Sequence, residues 1–152
     1  MKEDTPAQGR RLGVDVGSVR VGVALSDPHA LIATPLVTLL RDRGAADQRA
    51  IAALVREHAV VEVVIGLPLH LSGARGAAAD EATAYAGAVA TLIDPVPVRL
   101  MDERLSTRAA SAVLAAKGLD RRAQRGVVDQ TAAAIILQSW LDQLANRRLG
   151  SV

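Results

Sequence analysis

The fold is decided by residues 12–25, which read LGVDVGSVRVGVAL. Leu12–Val16 and Val19–Leu25 are rich in β-branched residues, and Gly17 with its neighbour separates them, a pattern typical of a β-hairpin. Side chains alternate between the two faces of a strand, so Asp15 lies on the face that carries the small residues. A carboxylate inside an apolar strand must be hydrogen-bonded, ion-paired or bound to a metal. The hairpin alone leaves those alternatives open.

The remaining chain alternates between strand and helix patterns, within a length typical of one domain. We predict strands over Leu31–Leu39, Val60–Ile65 and Val96–Met101, and helices over Ala45–His58, Ala77–Leu92, Ser106–Lys117 and about Val127–Ala145. This order predicts an α/β fold with a mixed five-stranded sheet, an antiparallel meander followed by parallel crossovers, flanked by helices. We expect one domain over residues 1–152, with residues 1–9 as a flexible N-terminal tail.

Composition excludes several classes of protein. The chain has no cysteine, which excludes a disulfide framework, thiolate zinc sites and a cysteine nucleophile. No apolar run reaches the length needed to span a membrane, so we expect a cytoplasmic protein without a membrane partner. Tyr85 and Trp140 are the only aromatic residues, so few platforms exist on which bases could stack.

Basic residues are concentrated in one segment. Between Arg99 and Arg125 the sequence has seven basic and three acidic residues, a net charge of +4, whereas the rest of the chain sums to −2. Of the 18 basic residues, 16 are arginine, which binds phosphate with two parallel hydrogen bonds. The segment indicates a nucleic-acid partner, with a solvated charged face and a biased codon usage as the alternatives.

Three further acids are placed to join Asp15 at one end of the sheet. Asp102 and Glu103 directly follow the strand over 96–101, and side chains at the carboxyl ends of strands form sites in α/β proteins. Alternation sends them to opposite faces, so only one of the two can meet Asp15. Asp129 heads the core-facing stripe of the last helix. The alternatives are a loop ion pair with Arg104 and a helix-capping role for Asp129.

Four blocks of the sequence resemble the YqgF/RuvX family of RNase H-like nucleases, in family order and across nearly the whole chain. The blocks are GVDVGSVRVGVALSD at 13–27, IGLPL at 65–69, DERLST at 102–107 and VDQTAA at 128–133. The loop that follows Leu69 reads His70-Leu-Ser-Gly, whereas the family commonly has Asn-Met-Asp-Gly there. We expect His70 to be exposed to solvent, and a contact with water or phosphate is the alternative.

The resemblance implies an RNase H-like fold and metal-dependent cleavage of a phosphodiester bond. It assigns the catalytic and metal-binding triad to Asp15, Glu103 and Asp129, with Asp102 as an alternative to Glu103. Hard oxygen ligands select Mg²⁺ or Mn²⁺, and two such ions can stabilise charge on the attacking and leaving oxygens. Around this triad, Arg20, Arg104 and Arg108 would form a nucleic-acid-binding track that contacts phosphates.

Members of the family are described as pre-16S rRNA nucleases that trim the 5′ end of the precursor, and others as Holliday junction resolvases. We expect the first function, in ribosome biogenesis, with pre-16S rRNA within a ribosomal precursor as partner. The alternatives are resolution of branched DNA and a catalytically silent nucleic-acid-binding module. An actin-like ATPase or sugar kinase is disfavoured, because that class encloses its nucleotide between two such domains and 152 residues supply one. The sequence leaves open whether the protein is a monomer or a homodimer.

Overall fold

A computed structural model describes residues 5–104 and 121–150, and within the last helix it describes the side chains of residues 131–147. The strands are β1 (Arg11–Val16), β2 (Arg20–Ser26), β3 (Ala33–Leu40), β4 (Glu62–Leu67) and β5 (Val98–Asp102), and the helices are α1 (Ala46–Glu57), α2 (Ala77–Ile93) and α3 (Arg121–Gly150). The predicted helix over 106–117 and Arg108 lie outside the described residues. No helix in the described part of the chain is long and apolar enough to cross a membrane.

The described strands form one mixed sheet in the order β3-β2-β1-β4-β5. β1 pairs with β2, and β2 with β3, in antiparallel fashion, whereas β1–β4 and β4–β5 are parallel pairs. The predicted meander and crossovers are thereby confirmed. Pro35 lies on the edge strand β3, opposite Ala24 at a shift in the β2–β3 register, as expected for a residue that lacks an N–H donor.

Helices α1 and α2 cover one face of the sheet. Leu12 and Val14 of β1, fully buried, pack there against α1 and α2 residues such as Ile51 and Val89. This layer also contains a polar pair: the Tyr85 hydroxyl donates a hydrogen bond of 2.7 Å to the buried Asp47 carboxylate. Its burial and this bond raise the pKa of the Tyr85 hydroxyl well above its usual value. The layer is otherwise aliphatic, as the composition predicts.

Helix α3 covers the other face and packs unusually close to β1. A Cβ atom on Gly13 would lie 2.7 Å from the Leu137 Cβ and 2.8 Å from the Ala133 carbonyl oxygen. The helix backbone therefore rests directly on the strand at a point where only glycine leaves room. Ile136, Leu137 and Leu141, all almost fully buried, form the core of this layer.

Several element boundaries differ from the prediction by one or more residues, and two of the differences involve a glycine. Helix α3 already includes Arg121, ahead of the predicted start near Val127, and it contains Gly126 at a modest cost. Strand β4 continues through Gly66 to Leu67, where the sequence pattern ended it at Ile65.

Adding one methyl group at Gly13 should destabilise the fold, because the Ala133 backbone cannot move without lifting α3 from the sheet. We expect Gly13→Ala to lower the free energy of unfolding by about 1–3 kcal/mol, measured by urea denaturation. Gly87→Ala is the matched control: nothing lies within 4 Å of a Cβ at that position in α2, and alanine favours the helix by up to about 1 kcal/mol. Equal stability of the two variants would contradict the packing described for α3.

Candidate active site

Asp15 lies on β1 between two strand neighbours that have no side chain. It pairs with Gly22 on β2, and since Val14 pairs with Ile65 in the parallel β1–β4 ladder, the next residue on β4 beside Asp15 is Gly66. The Asp15 side chain is half-buried and lies on the face covered by α3. The small residues predicted around this carboxylate are therefore present on β1 and β2, and Gly66 adds another on β4.

Glu103 reaches the same place from the end of β5. Its backbone N–H donates a hydrogen bond of 3.2 Å to the Leu67 carbonyl, which fixes the chain beside β4 as the strand ends. Its Oε2 atom lies 2.6 Å from the position that a Cβ of Gly66 would occupy. The Glu103 carboxylate thus lies over Gly66, the residue next to Asp15, and the fold brings these two predicted acids together.

Helix α3 runs antiparallel to β1 above this pair. Ala133 and Leu137 contact Gly13 in the middle of β1, and Trp140 bonds to Glu62 at the start of β4. Backbone position 129 is one turn before Ala133, about 6 Å along the helix axis, and Asp15 is two residues beyond Gly13, about 7 Å along the strand. The helix backbone at 129 therefore lies at the Asp15 end of the sheet, whereas the Asp129 side chain is outside the described part.

The two described acids do not complete a three-residue ligand set. Among the side chains that the structure describes, no three histidine, aspartate or glutamate residues lie close enough to hold a metal ion together. Asp15 and Glu103 supply two carboxylates, and carboxylate oxygens are the ligands preferred by Mg²⁺ and Mn²⁺. Their chemistry fits such an ion, and the predicted third acid belongs to the stretch whose side chains are not described.

Asp102 is committed to an ion pair with Arg104. Its carboxylate accepts hydrogen bonds from the Arg104 Nε at 2.8 Å and from the Arg104 backbone N–H at 3.0 Å. The Arg104 side chain, followed by its backbone N–H, lowers the pKa of the Asp102 carboxyl. Glu103, and not Asp102, is the acid that lies over Gly66, and alternation allows only one of the two to do so.

Arg104 also tethers the loop that follows β4. Its Nη1 donates a long hydrogen bond of 3.4 Å to the Leu71 carbonyl. Within this loop the Gly73 N–H donates to the His70 carbonyl at 2.7 Å, and the His70 ring packs against Gly76 at the start of α2. The His70 side chain is exposed, as expected, and the loop lies beside the end of β4 next to Glu103.

The turn between β1 and β2 is held by a residue that the sequence did not single out. The Gly17 N–H donates to the Arg20 carbonyl at 2.8 Å, and a Cβ on Gly17 would lie 2.7 Å from that oxygen. Arg41 donates to the Gly17 carbonyl at 2.8 Å and lies over the Tyr85 ring, 5.2 Å from its centroid. Arg20, which is predicted to contact phosphate, is the first residue of β2. The turn that precedes it is held by the hydrogen bond from Arg41 to Gly17.

Known proteins share this fold. Thermus thermophilus RuvC, in a complex with a Holliday junction substrate, aligns with a TM-score of 0.58 and 13% identity over 92% of this chain and 96% of that chain. The Fowlpox virus resolvase, in a complex with Holliday junction DNA, aligns with a TM-score of 0.56 and 10% identity over 89% of this chain and 98% of that one. At such identities the likeness shows the fold alone, and that fold is RNase H-like.

Closer relatives are found by sequence. A protein of Rhodococcus opacus (strain B4) is 52% identical over 144 residues, which are 92% of this chain and 81% of the relative. A protein of Mycolicibacterium paratuberculosis is 54% identical, over 93% of this chain and 84% of its own length. Both carry the name "Putative pre-16S rRNA nuclease". The family model described as RuvX, Holliday junction resolvase, matches residues 9–143, and the chain therefore belongs to the RuvX family.

Proposed function

We propose that this protein is a nuclease that hydrolyses phosphodiester bonds with the help of divalent metal ions. The observation that carries the proposal is the Glu103 carboxylate over Gly66, beside Asp15. Neighbouring carboxylates favour a shared cation, because its charge offsets their mutual repulsion. A divalent cation is the partner that the chemistry of a nuclease also needs.

Asp15, Glu103 and Asp129 would hold Mg²⁺ or Mn²⁺, two ions in all. When bound, such ions stabilise the negative charge that develops on the attacking and leaving oxygens of the phosphate. Asp15 is the best candidate to contact both ions, since it lies on a central strand that is hydrogen-bonded on both sides. The helix backbone at position 129 approaches the same end of the sheet, which supports Asp129 as the third ligand.

Residues around the acids would orient the substrate. Gly22 places no side chain next to Asp15 on β2, whereas Glu103 and Ile136 occupy the space over Gly66. Arg20 begins the strand next to Asp15, and Arg104 follows Glu103 directly. Asp102 fixes the position of Arg104 and offsets its charge, so a phosphate would have to share or replace this carboxylate. Arg108 would continue this track, and contacts of this kind position a nucleic-acid strand without reading its sequence.

We favour pre-16S rRNA, trimmed at its 5′ end in the cytoplasm during ribosome biogenesis, as the substrate. This choice rests on the name carried by relatives more than 50% identical to the chain. Resolution of branched DNA is the second candidate, favoured by the description of the family. A resolvase cuts two strands symmetrically, which requires a two-fold dimer, whereas trimming one RNA end does not.

Replacing Asp15 by asparagine keeps the shape of the side chain and removes its charge. We expect Asp15→Asn to reduce Mg²⁺- or Mn²⁺-dependent cleavage by about 10²-fold or more, while the urea midpoint of unfolding and the affinity for RNA in the absence of metal are retained. The measurement is cleavage of a 5′-extended pre-16S rRNA fragment and of a four-way DNA junction by the same preparation.

The matched control for this experiment is Glu57→Gln, which removes an exposed carboxylate from the end of α1 on the opposite face. It should cleave like the wild-type protein. Metal-dependent turnover retained in Asp15→Asn would refute the assignment of Asp15. Cleavage of the junction without cleavage of the rRNA fragment would replace the first candidate substrate by the second.

Gly66→Ala tests the contribution of Glu103 without changing any charge. The new Cβ would lie 2.6 Å from the Glu103 Oε2 and 2.7 Å from the Ile136 Cδ1, so the carboxylate must move away from Asp15. We expect the Gly66→Ala protein to remain folded and to bind Mn²⁺ at least about tenfold more weakly than the wild-type protein, as measured by calorimetry. Wild-type Mn²⁺ affinity in a folded Gly66→Ala protein would show that Glu103 is not a ligand.

A further inference from the structure

A second cavity opens at the end of the sheet opposite Asp15. It has a volume of about 390 Å³ and lies between the start of β1 and β4 and the C-terminal half of α3. Charged and aromatic side chains line it together with residues that precede β1, among them Thr5, Arg11, Glu62, Arg99, Trp140 and Arg147. We refer to it as the arginine pocket. Its volume is in the range of sites that bind small molecules.

Glu62 is the buried centre of the arginine pocket. Its carboxylate, 2% exposed as a residue, accepts hydrogen bonds from the Arg11 Nε at 3.1 Å, the Arg99 Nε at 3.0 Å and the Trp140 Nε1 at 2.9 Å. Arg11 is equally buried and donates in addition to the carbonyls of Gly9 and Pro6. The Arg11–Glu62 pair is thus neutralised internally, and its charges are not available to a ligand.

Two further arginines give the arginine pocket a positive charge. Arg99, with 31% of its side chain exposed, is fixed by Glu62 and by a hydrogen bond of 3.0 Å to the Thr5 hydroxyl. Arg147 is exposed, and its guanidinium lies over the Trp140 ring, 5.6 Å from the centroid. Among the described residues that line the cavity, three arginines (Arg11, Arg99 and Arg147) accompany one carboxylate, that of Glu62.

We propose that the arginine pocket binds a phosphate group of the nucleic-acid strand, away from the bond that is cut. The proposal rests on the proposed nuclease function. Guanidinium groups match phosphate geometry with paired hydrogen bonds. Arg99 and Arg147 are oriented before the ligand arrives, which reduces the entropy that binding costs. The shared chemistry would also admit a free nucleotide, and the experiment separates these two sources.

The arginine pocket and the acids lie along one border of the molecule. Arg99 and Glu103 are four residues apart on and just after the edge strand β5, a separation of about 13 Å. Alternation places both on the face toward α3, at opposite ends of the strand. A single strand of a few nucleotides that follows the β5 edge would contact the acids and the arginine pocket at once, and shorter ligands would contact only one of them.

Trp140 makes this proposal directly measurable, because it is the only tryptophan in the chain. The full-length protein in EDTA, where metal-dependent cleavage is suppressed, is titrated with inorganic phosphate, a mononucleotide and single-stranded RNAs of increasing length. We expect RNA to change Trp140 fluorescence, because one of its phosphates contacts the arginine pocket that Trp140 lines. Arg147→Ala should raise that Kd about tenfold and reduce the salt dependence of log K by about one.

Arg56→Ala is the control, since Arg56 is exposed on α1 on the opposite face of the sheet, and it should bind RNA like the wild-type protein. An Arg147→Ala protein that is folded, as judged by its urea midpoint, and that binds RNA with the wild-type Kd and salt slope would overturn the proposal. A fluorescence change caused by phosphate or mononucleotide but not by RNA would also overturn the proposal. That result would identify the pocket as a site for free nucleotides.

A gel assay of the same RNAs in Mg²⁺ distinguishes the two proposals. If the protein binds RNA through Arg147 but does not cleave, the nuclease function fails and the arginine pocket remains. If the wild-type protein cleaves the RNA, and Arg147→Ala has the same Kd and the same cleavage rate, the nuclease function stands and the pocket assignment fails.

Discussion

The close approach of α3 to the sheet is the constraint on which the rest of the structure depends. At Gly13 the helix backbone occupies the space that a side chain would need, with the Ala133 carbonyl 2.8 Å from a Cβ position. At Gly66 the same space is shared by Ile136 from the helix and by the Glu103 carboxylate. Gly13 therefore determines how closely α3 approaches the sheet, and Gly66 leaves room for the Glu103 carboxylate beside Asp15.

The register of α3 along the sheet is fixed at two points. Leu137 is held against Gly13 by packing, and Trp140 is held at the start of β4 by its hydrogen bond to Glu62. A helix fixed twice cannot slide along the strand without losing both contacts, so the position of its residue 129 relative to Asp15 is determined far from the acids. The Glu62 cluster thus contributes to the candidate active site although it lies at the other end of the sheet.

Local patterns in the sequence predict the hairpin, the mixed character of the sheet and the small residues around Asp15, because alternation and turn chemistry operate between near neighbours. They also indicate that only one of Asp102 and Glu103 can meet Asp15, whereas the assignment of Glu103 comes from the resemblance. They do not predict that Gly66 continues a strand, since its role becomes apparent only when Glu103 and Ile136 occupy the space above it. The same applies to Glu62, which interrupts an apolar run and is stabilised by partners 37 to 78 residues away.

Folding places Asp15 and Glu103 side by side at one end of the sheet, and we propose that together they hold a divalent cation. The most direct measurement is the anomalous scattering of crystals grown with Mn²⁺, compared between the wild-type protein and a variant without the Asp15 carboxylate. We expect a strong anomalous peak within coordination distance of both carboxylates in the wild-type crystals and no such peak in the variant. Well-ordered wild-type crystals with both carboxylates visible and no Mn²⁺ bound to them, at a concentration that supports cleavage, would contradict it.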